Sequence, residues 1–376
     1  MKAKIMHITP LLTFVAAAGF LLYGACSGEQ PPPGEQEIEC TVTFDTAGGS
    51  PASIPSIKVV KGKNMGAQYP GDPQKQGYNF GGWFEGTTRY FRNTAIEKDI
   101  DLTASWNEAP PDKEKFHVYL CFGQSNMEGY VSGGGIPEDD KTGVDERFKV
   151  LAAVTDGGRV MGQWYTAVPP LCRSDTGLTP ADYFGRTLLE GIDDPDVKVG
   201  VIVVAVAGCA INLFEKDTAV SAPYLNAQPD WMKNIAAQYE NTPYQRLIDM
   251  AKIAQETGVI KGILLHQGES GKAGSNNQNG SDNTNWGAAV KRIYDNILED
   301  LELEPDSIPL LAGQVVGNNS GIITNLPNTM QGIAHVIPSN GCAAAGPSGN
   351  DALHFNYEGY RELGRRYAAK MLELLY

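Results

Sequence analysis

The chain has 376 residues, 30 basic against 44 acidic, so its net charge is −14, and 42% of it is hydrophobic. That length suits two domains, or one small domain beside a larger one, and 43 glycines with 23 prolines fall short of a low-complexity composition. The acidic balance argues against a nucleic-acid partner and against adhesion to anionic lipid, because phosphates repel such a surface.

Residues 1–25 read as a leader. Lys2 and Lys4 precede an apolar run from Ile8 to Ala25, broken by Pro10, that ends in Leu22-Tyr23-Gly24-Ala25-Cys26. Small residues directly before a cysteine resemble a bacterial lipoprotein signal. The resemblance implies cleavage before Cys26, a lipid on its thiol, and a place in the bacterial cell envelope with contact to the membrane through that lipid alone. A plain secretory signal and an uncleaved anchor helix are the alternatives. Residues 26–37, with Pro31-Pro32-Pro33, form a polar tether that cannot bury a core.

Five further cysteines follow, Cys40, Cys121, Cys172, Cys209 and Cys342, an odd number that leaves at least one unpaired within the chain. Cys121 and Cys342 sit in apolar runs and read as core; a Cys172–Cys209 bridge stays open. Neither C-x-x-C nor H-E-x-x-H spacing occurs, so no metal site is expected.

Residues 38–107 have β character. Cys40–Asp45 alternates and stops at Gly48-Gly49; Ser56–Val60 alternates again; Asp101–Trp106 closes the segment. Between them lies the aromatic cluster Gly77-Tyr78-Asn79-Phe80-Gly81-Gly82-Trp83-Phe84. With Val42–Asp45 and Ala104-Ser105-Trp106, these residues resemble the internalin-type B repeat of bacterial surface proteins, which implies a small β-grasp-like module. Its aromatics read as core before they read as a sugar platform, and a single copy reads as a spacer or presenter. Residues 108–115, with Pro110-Pro111, read as a linker.

From residue 116 to 376 the pattern is α/β. Strand-type runs are expected at Val118–Phe122, Val199–Val206, Val259–Leu265 and Ile308–Ala312, with a weaker one at Cys342–Ala345. Helices are expected at Pro180–Leu189, Pro243–Thr257, Trp286–Leu301 and Tyr357–Leu375; in the third, Val290, Ile293, Ile297 and Leu301 recur at helical steps. Continuous apolar strands between amphipathic helices imply a parallel sheet covered on both faces, with chemistry at the strands' carboxyl ends.

Three strand ends carry reactive residues. Cys121-Phe122-Gly123-Gln124-Ser125-Asn126-Met127 runs a strand into glycine and throws up Ser125, whose Oγ and N–H suit a nucleophile and an oxyanion donor. Taken alone, a helix-capping serine is the plainer reading. Leu264-Leu265-His266-Gln267-Gly268-Glu269-Ser270 offers an amide at Gln267, with His266 and Glu269 either active or braces of the loop. Asp351-Ala352-Leu353-His354-Phe355 sets a carboxylate three residues before a histidine, a spacing that lets it accept Nδ1–H and leave Nε2 free as a base. Of the histidines after residue 26, His117 begins a strand and His335 follows an expected helix.

In order and spacing the three segments resemble the motifs of SGNH-type hydrolases, and most closely the sialate O-acetylesterase and acetylxylan-esterase-like carbohydrate esterases. The resemblance covers about Phe116 to Tyr376. It implies a flavodoxin-like three-layer parallel sheet, with Ser125 as nucleophile, His354 as base and Asp351 as its orienter. It also implies an oxyanion hole from the Ser125 and Gly208 N–H groups with the Gln267 amide, while Gln124, Asn126, His266 and Glu269 support the site or face substrate. Gly177–Pro180 with Phe184-Gly185-Arg186 resembles the family's substrate-side helix start. The general SGNH pattern has asparagine where this chain has Gln267, and the carbohydrate-esterase branch shares the glutamine. The activity implied is removal of O-acetyl groups from a polysaccharide or glycan, without metal or organic cofactor. A lipase or thioesterase is the rival enzyme reading, and a surface adhesin with an inert second domain the non-enzyme one. The Asn-, Gly- and Ser-rich loop Gly274–Trp286 suits sugar hydroxyls better than an acyl chain.

Overall fold

A computed structural model of the chain describes residues 37–108, 112–130, 135–271, 286–317, 321–345, 351 and 353–376. The leader, Cys26, most of the tether and the loop 274–285 lie outside the described residues. The chain divides into two compact units, residues 1–109 and 110–376.

The first unit is a five-stranded sheet of β1 (Glu39–Asp45), β2 (Ile54–Val60), β3 (Tyr78–Glu85), β4 (Thr88–Tyr90) and β5 (Ile100–Glu108), in the order β2-β1-β5-β3-β4. β1 and β5 run parallel in the centre and the other pairs are antiparallel. The alternation seen in the sequence is the alternation of faces: Cys40, Val42 and Phe44 point into the core. The aromatic cluster is itself a strand, β3, and it supplies that core. Trp83 is fully buried and meets Phe44 edge-on at 5.1 Å and Phe80 at 5.4 Å.

The second unit is built on β6 (Phe116–Gly123), β7 (Phe148–Leu151), β8 (Trp164–Thr166), β9 (Lys198–Ala205), β10 (Val259–His266), β11 (Leu310–Gly313) and β12 (Ala334–Ile337). They form one sheet in the order β12-β11-β10-β6-β9-β7-β8, parallel throughout except for the edge strand β8. β6 lies in the middle and every residue of it is buried, which is why it is written in apolar residues without alternation. Its Val118, Leu120 and Phe122 pack on the layer that holds the helices Pro243–Gln255 and Trp286–Asp300; Tyr119 and Cys121 pack on the other, with the helices Pro180–Gly191 and Tyr357–Leu375. This is the three-layer, flavodoxin-like α/β architecture.

The chain leaves β6 for β7 on one side, returns to β9 beside β6, and crosses to β10 on the other side. That reversal opens a crevice at the carboxyl end of β6, where ligands of such sheets bind.

Several elements differ from the sequence reading. Cys342–Ala345 is loop, paired with the segment His354–Asn356 through an isolated Ala344–Phe355 bridge and flanking hydrogen bonds, and the last strand is Ala334–Ile337 instead. His335 lies within that strand, which follows the short helix Leu326–Thr329. β7, β8 and the helices Thr218–Asn226 and Asp230–Ala237 carry too few residues, or too little amphipathic pattern around Pro223, to stand out beforehand. Part of the segment expected to be linker is built into the second unit: Asp112 caps a turn at Lys113–Lys115, and the Lys113 Nζ donates to the Gln255 carbonyl at 2.8 Å. Cys172 and Cys209 are not bridged; the five cysteines are free thiols, and Cys342 is only half-buried.

Candidate active site

Three carboxyl strand ends and one helix start converge in the crevice. β6 ends at Gly123 in a conformation (φ +153°) that brings its Cα against the backbone of His266, the last residue of β10. The chain then turns at Gln124 into the helical turn Ser125–Glu128, so Ser125 stands at the first helical position with its Oγ above the sheet. The loop before the helix Tyr357–Leu375 carries His354, and Asn356 caps that helix by accepting from Gly359 N at 2.9 Å.

The His354 Nε2 is 2.9 Å from the Ser125 Oγ. On its other side, Nδ1 is 2.8 Å and 3.0 Å from the two carboxylate oxygens of Asp351. Burial pushes the Asp351 carboxyl up, but the His354 ring and the Leu353 and His354 N–H groups outweigh it and hold the group below the usual carboxylate range. An ionised Asp351 keeps the proton on Nδ1 and leaves the Nε2 lone pair facing serine. Tyr130 lies flat on the imidazole, with ring centres 3.9 Å apart and planes 9° from parallel.

Asn126 ties this line to the third segment. Its Nδ2 donates to Glu269 Oε1 at 2.6 Å and to the Leu353 carbonyl at 2.8 Å, while its Oδ1 accepts from Phe355 N and the Tyr360 hydroxyl. Every hydrogen-bonding atom of the amide is used, so Asn126 is a strut between the serine turn and the histidine loop. Burial pushes the Glu269 carboxyl up, yet His266 and Asn126 hold it below the usual range. His266 is fully buried, 3.4 Å from Glu269 Oε1, and no hydrogen bond joins it to Ser125. It braces the loop; the histidine that reaches serine is His354.

The expectation for Gln267 is not met in this geometry. Its Nε2 donates to Gln124 Oε1 at 3.2 Å and to the Cys209 carbonyl at 3.1 Å, and the Trp286 indole N–H donates to its Oε1. Both amide hydrogens are committed away from the crevice. The Gln124 Oε1 also accepts the Gly268 and Ser270 N–H groups, each at 3.4 Å, which leaves its Nε2 without a hydrogen-bond partner among the described residues. Gly208 (φ +70°) and Ser125 donate their N–H groups to no other described residue. Both line the same cavity of about 590 Å³ as Gln124, Tyr130, Trp231, Glu269, Leu353 and His354.

Sequence reasoning missed Tyr130, Trp231 and the buried Arg173. Arg173 pairs with Glu128 at the end of the serine turn and donates to the Ala205 carbonyl at the end of β9, 3.1 Å away, locking turn to sheet. Gly177–Pro180 does not line the cavity; Thr179 caps the helix Pro180–Gly191 reciprocally with Asp182, and the Gly177 N–H braces Gly129 at 2.7 Å.

Residues 115–373 match the model of the family described as carbohydrate esterase, sialic acid-specific acetylesterase. The chain belongs to this family. The acetylesterase also resembles solved structures: NanS, at 18% identity over 71% of this chain and 98% of that one with a TM-score of 0.50, and a protein of Arabidopsis thaliana, at 18% over 70% and 99%, also with a TM-score of 0.50. At such identity the likeness is one of fold. Residues 41–105 match the Listeria-Bacteroides repeat domain, the small module's counterpart among known families. The acetylesterase thus joins a carbohydrate-esterase body to a repeat-type β module.

Proposed function

We propose that this carbohydrate acetylesterase removes O-acetyl groups from sugar hydroxyls through an acetyl-enzyme on Ser125, with acetylxylan or a sialate-type glycan as substrate. The observation that carries the reading is the line Asp351–His354–Ser125, closed at 2.8 Å and 2.9 Å. His354 Nε2 takes the Ser125 proton as Oγ bonds to the acetyl carbon, and the carbonyl π electrons move onto oxygen. The Ser125 and Gly208 N–H groups, and in place of Gln267 the free amide end of Gln124, receive that oxyanion. Collapse of the adduct expels the sugar alkoxide, which takes the proton from His354. Water, deprotonated by the same nitrogen, then attacks the acetyl carbon; the bond from that carbon to Oγ breaks, Ser125 Oγ takes the proton back from His354, and acetate leaves. Asp351 keeps the ring in the tautomer both halves require.

Acetate release from acetylated xylan and from O-acetylsialic acid tests the substrate, and a serine-reactive phosphonate tests the nucleophile. Labelling at any residue other than Ser125 would overturn the mechanism. We also propose, on the sequence pattern alone, that Cys26 carries a lipid; a Cys26→Ser chain that still partitions with membranes would count against it.

A further inference from the structure

The cavity above Ser125 measures about 590 Å³, a size that takes a whole drug-sized ligand rather than an acetyl group alone. Beside the reactive groups Ser125, Gly208 and His354, the residues Tyr130, Ala207, Trp231 and Leu353 give the wall an apolar character. Two of these are aromatic. One face of Tyr130 is already covered by the His354 ring.

Trp231 is different. It stands in the first turn of the helix Asp230–Ala237, which turns Met232 and Ala236 into the core and leaves Trp231 outward and 51% exposed. The indole edge closes over Gly208: a Cβ on that glycine would lie 2.6 Å from Trp231 Cη2. Gly208 thus serves two ends, offering its N–H to the cavity and letting a large flat ring come up against the oxyanion loop. A half-exposed indole keeps apolar area in water that a ligand can cover. Its ring face carries the negative side of the aromatic quadrupole, to which the polarised C–H groups of a pyranose face are complementary. Glu269 borders the cavity with its carboxylate buried against Asn126 and His266, and among the described residues no Lys or Arg lines the wall to pair with a carboxylate on the ligand.

We propose that Trp231 is the platform on which the pyranose ring of a neutral acetylated sugar stacks while its acetyl group enters the oxyanion hole. The proposal rests on the carbohydrate-deacetylation reading and adds to it the residue that reads the sugar and the preference for an uncharged one. It also separates this cavity from an acyl-chain groove, because a long acyl chain would claim the same indole face.

The test compares wild type, Trp231→Ala and Trp231→Phe on peracetylated xylobiose, O-acetylsialic acid, acyclic glycerol triacetate and p-nitrophenyl esters from acetate to octanoate. Wild type should prefer the xylobiose ester to O-acetylsialic acid in kcat/KM. In Trp231→Ala the ratio of kcat/KM on xylobiose ester to that on triacetate should fall about tenfold, which corresponds to about 1.4 kcal/mol, chiefly through KM. Trp231→Phe should recover most of it. An unchanged ratio overturns the platform and leaves the deacetylation reading standing. A loss that instead grows with acyl chain length assigns Trp231 to an acyl groove and overturns it too, and a preference for O-acetylsialic acid overturns the neutral-sugar assignment. Wild type that hydrolyses triacetate but none of the sugar esters overturns the carbohydrate reading itself, and the platform with it. Because Trp231 is half-exposed, unfolding midpoints should stay close to wild type; a large drop in Trp231→Ala passes the decision to Trp231→Phe, which must then show a smaller loss of the same ratio.

Discussion

Gly123 and His266 are in backbone contact: a Cβ on Gly123 would lie 2.0 Å from the His266 carbonyl oxygen, which itself accepts the Gln124 N–H at 3.1 Å. The carboxyl ends of β6 and β10 are thereby pinched together, and the pinch delivers Ser125 and the Gln267 loop to one crevice. At φ +153° no other residue fits without strain.

Gly123→Ala should therefore damage site and stability together. Forcing a methyl into this contact costs about 1–3 kcal/mol of overpacking before backbone strain is added. Acetate release should fall at least about 100-fold, since a misplacement of about 1 Å has that effect on a positioned nucleophile, and the thermal midpoint should drop. A variant with wild-type activity would show that the contact does not position Ser125.

What was legible in the sequence was what local chain geometry writes. Gly123-Gln124-Ser125 follows an apolar strand, and Asp351 precedes His354 by the three residues that let one turn join them. The Gln267 orientation was not legible, because Trp286, 19 residues on, and the Cys209 carbonyl, 58 residues back, decide it. The last strand was misplaced for a similar reason. Two short apolar runs, Ala334–Ile337 and Cys342–Ala345, compete, and only pairing with Leu310–Gly313 chooses between them. Trp231 gave no signal, since nothing near it in sequence marks its helix as a cavity wall.

Ser125→Ala and His354→Ala should each lower kcat on p-nitrophenyl acetate by about 10⁴- to 10⁶-fold, and Asp351→Asn somewhat less, with the fold intact by circular dichroism. His266→Ala should act through stability, because it takes from buried Glu269 one of its two partners and leaves Asn126 alone against the carboxylate. If His266→Ala abolished turnover in a well-folded protein while His354→Ala did not, the assignment of the base would be wrong.

The two glutamines should separate. Loss of an oxyanion donor costs about 10² to 10³ in kcat, so Gln124→Ala should fall in that range with little change in KM. Gln267→Ala should cost less in kcat and more in thermal stability, since it removes a brace among Gln124, Cys209 and Trp286. The reverse pattern would return the oxyanion role to Gln267.

Asp182, which does not line the cavity, sets a pH dependence of stability. It is fully buried in the first turn of the helix Pro180–Gly191, where burial pushes its carboxyl up to about 7 against the Thr179 N–H and Arg186. The folded state therefore holds a proton that the unfolded chain releases near pH 4. Its contribution to stability is full below that pH and is lost as pH rises toward about 7, at up to about 1.4 kcal/mol per pH step. Asp182→Asn mimics the neutral carboxyl. Urea midpoints measured from pH 4 to pH 8 should fall less steeply in this variant than in wild type, and parallel curves would remove Asp182 as the cause.

Tyr130 should contribute to the chemical step through His354. Its ring lies 3.9 Å above the imidazole and 9° from parallel, so under the proposed mechanism the imidazolium of each tetrahedral step would develop against the negative face of an aromatic ring. Such contacts are worth about 0.5 to 2 kcal/mol, or about 2- to 30-fold in rate. The contact is made with the base and is stronger once the base is charged, so its loss should appear in kcat and leave KM for triacetate nearly unchanged. Tyr130→Leu should show that loss. Tyr130→Phe keeps the ring face and gives up only the hydroxyl, so it should restore most of the rate. If Leu and Phe lowered kcat alike, the hydroxyl rather than the stacked face would be the active feature; if KM rose while kcat held, Tyr130 would belong to substrate binding instead.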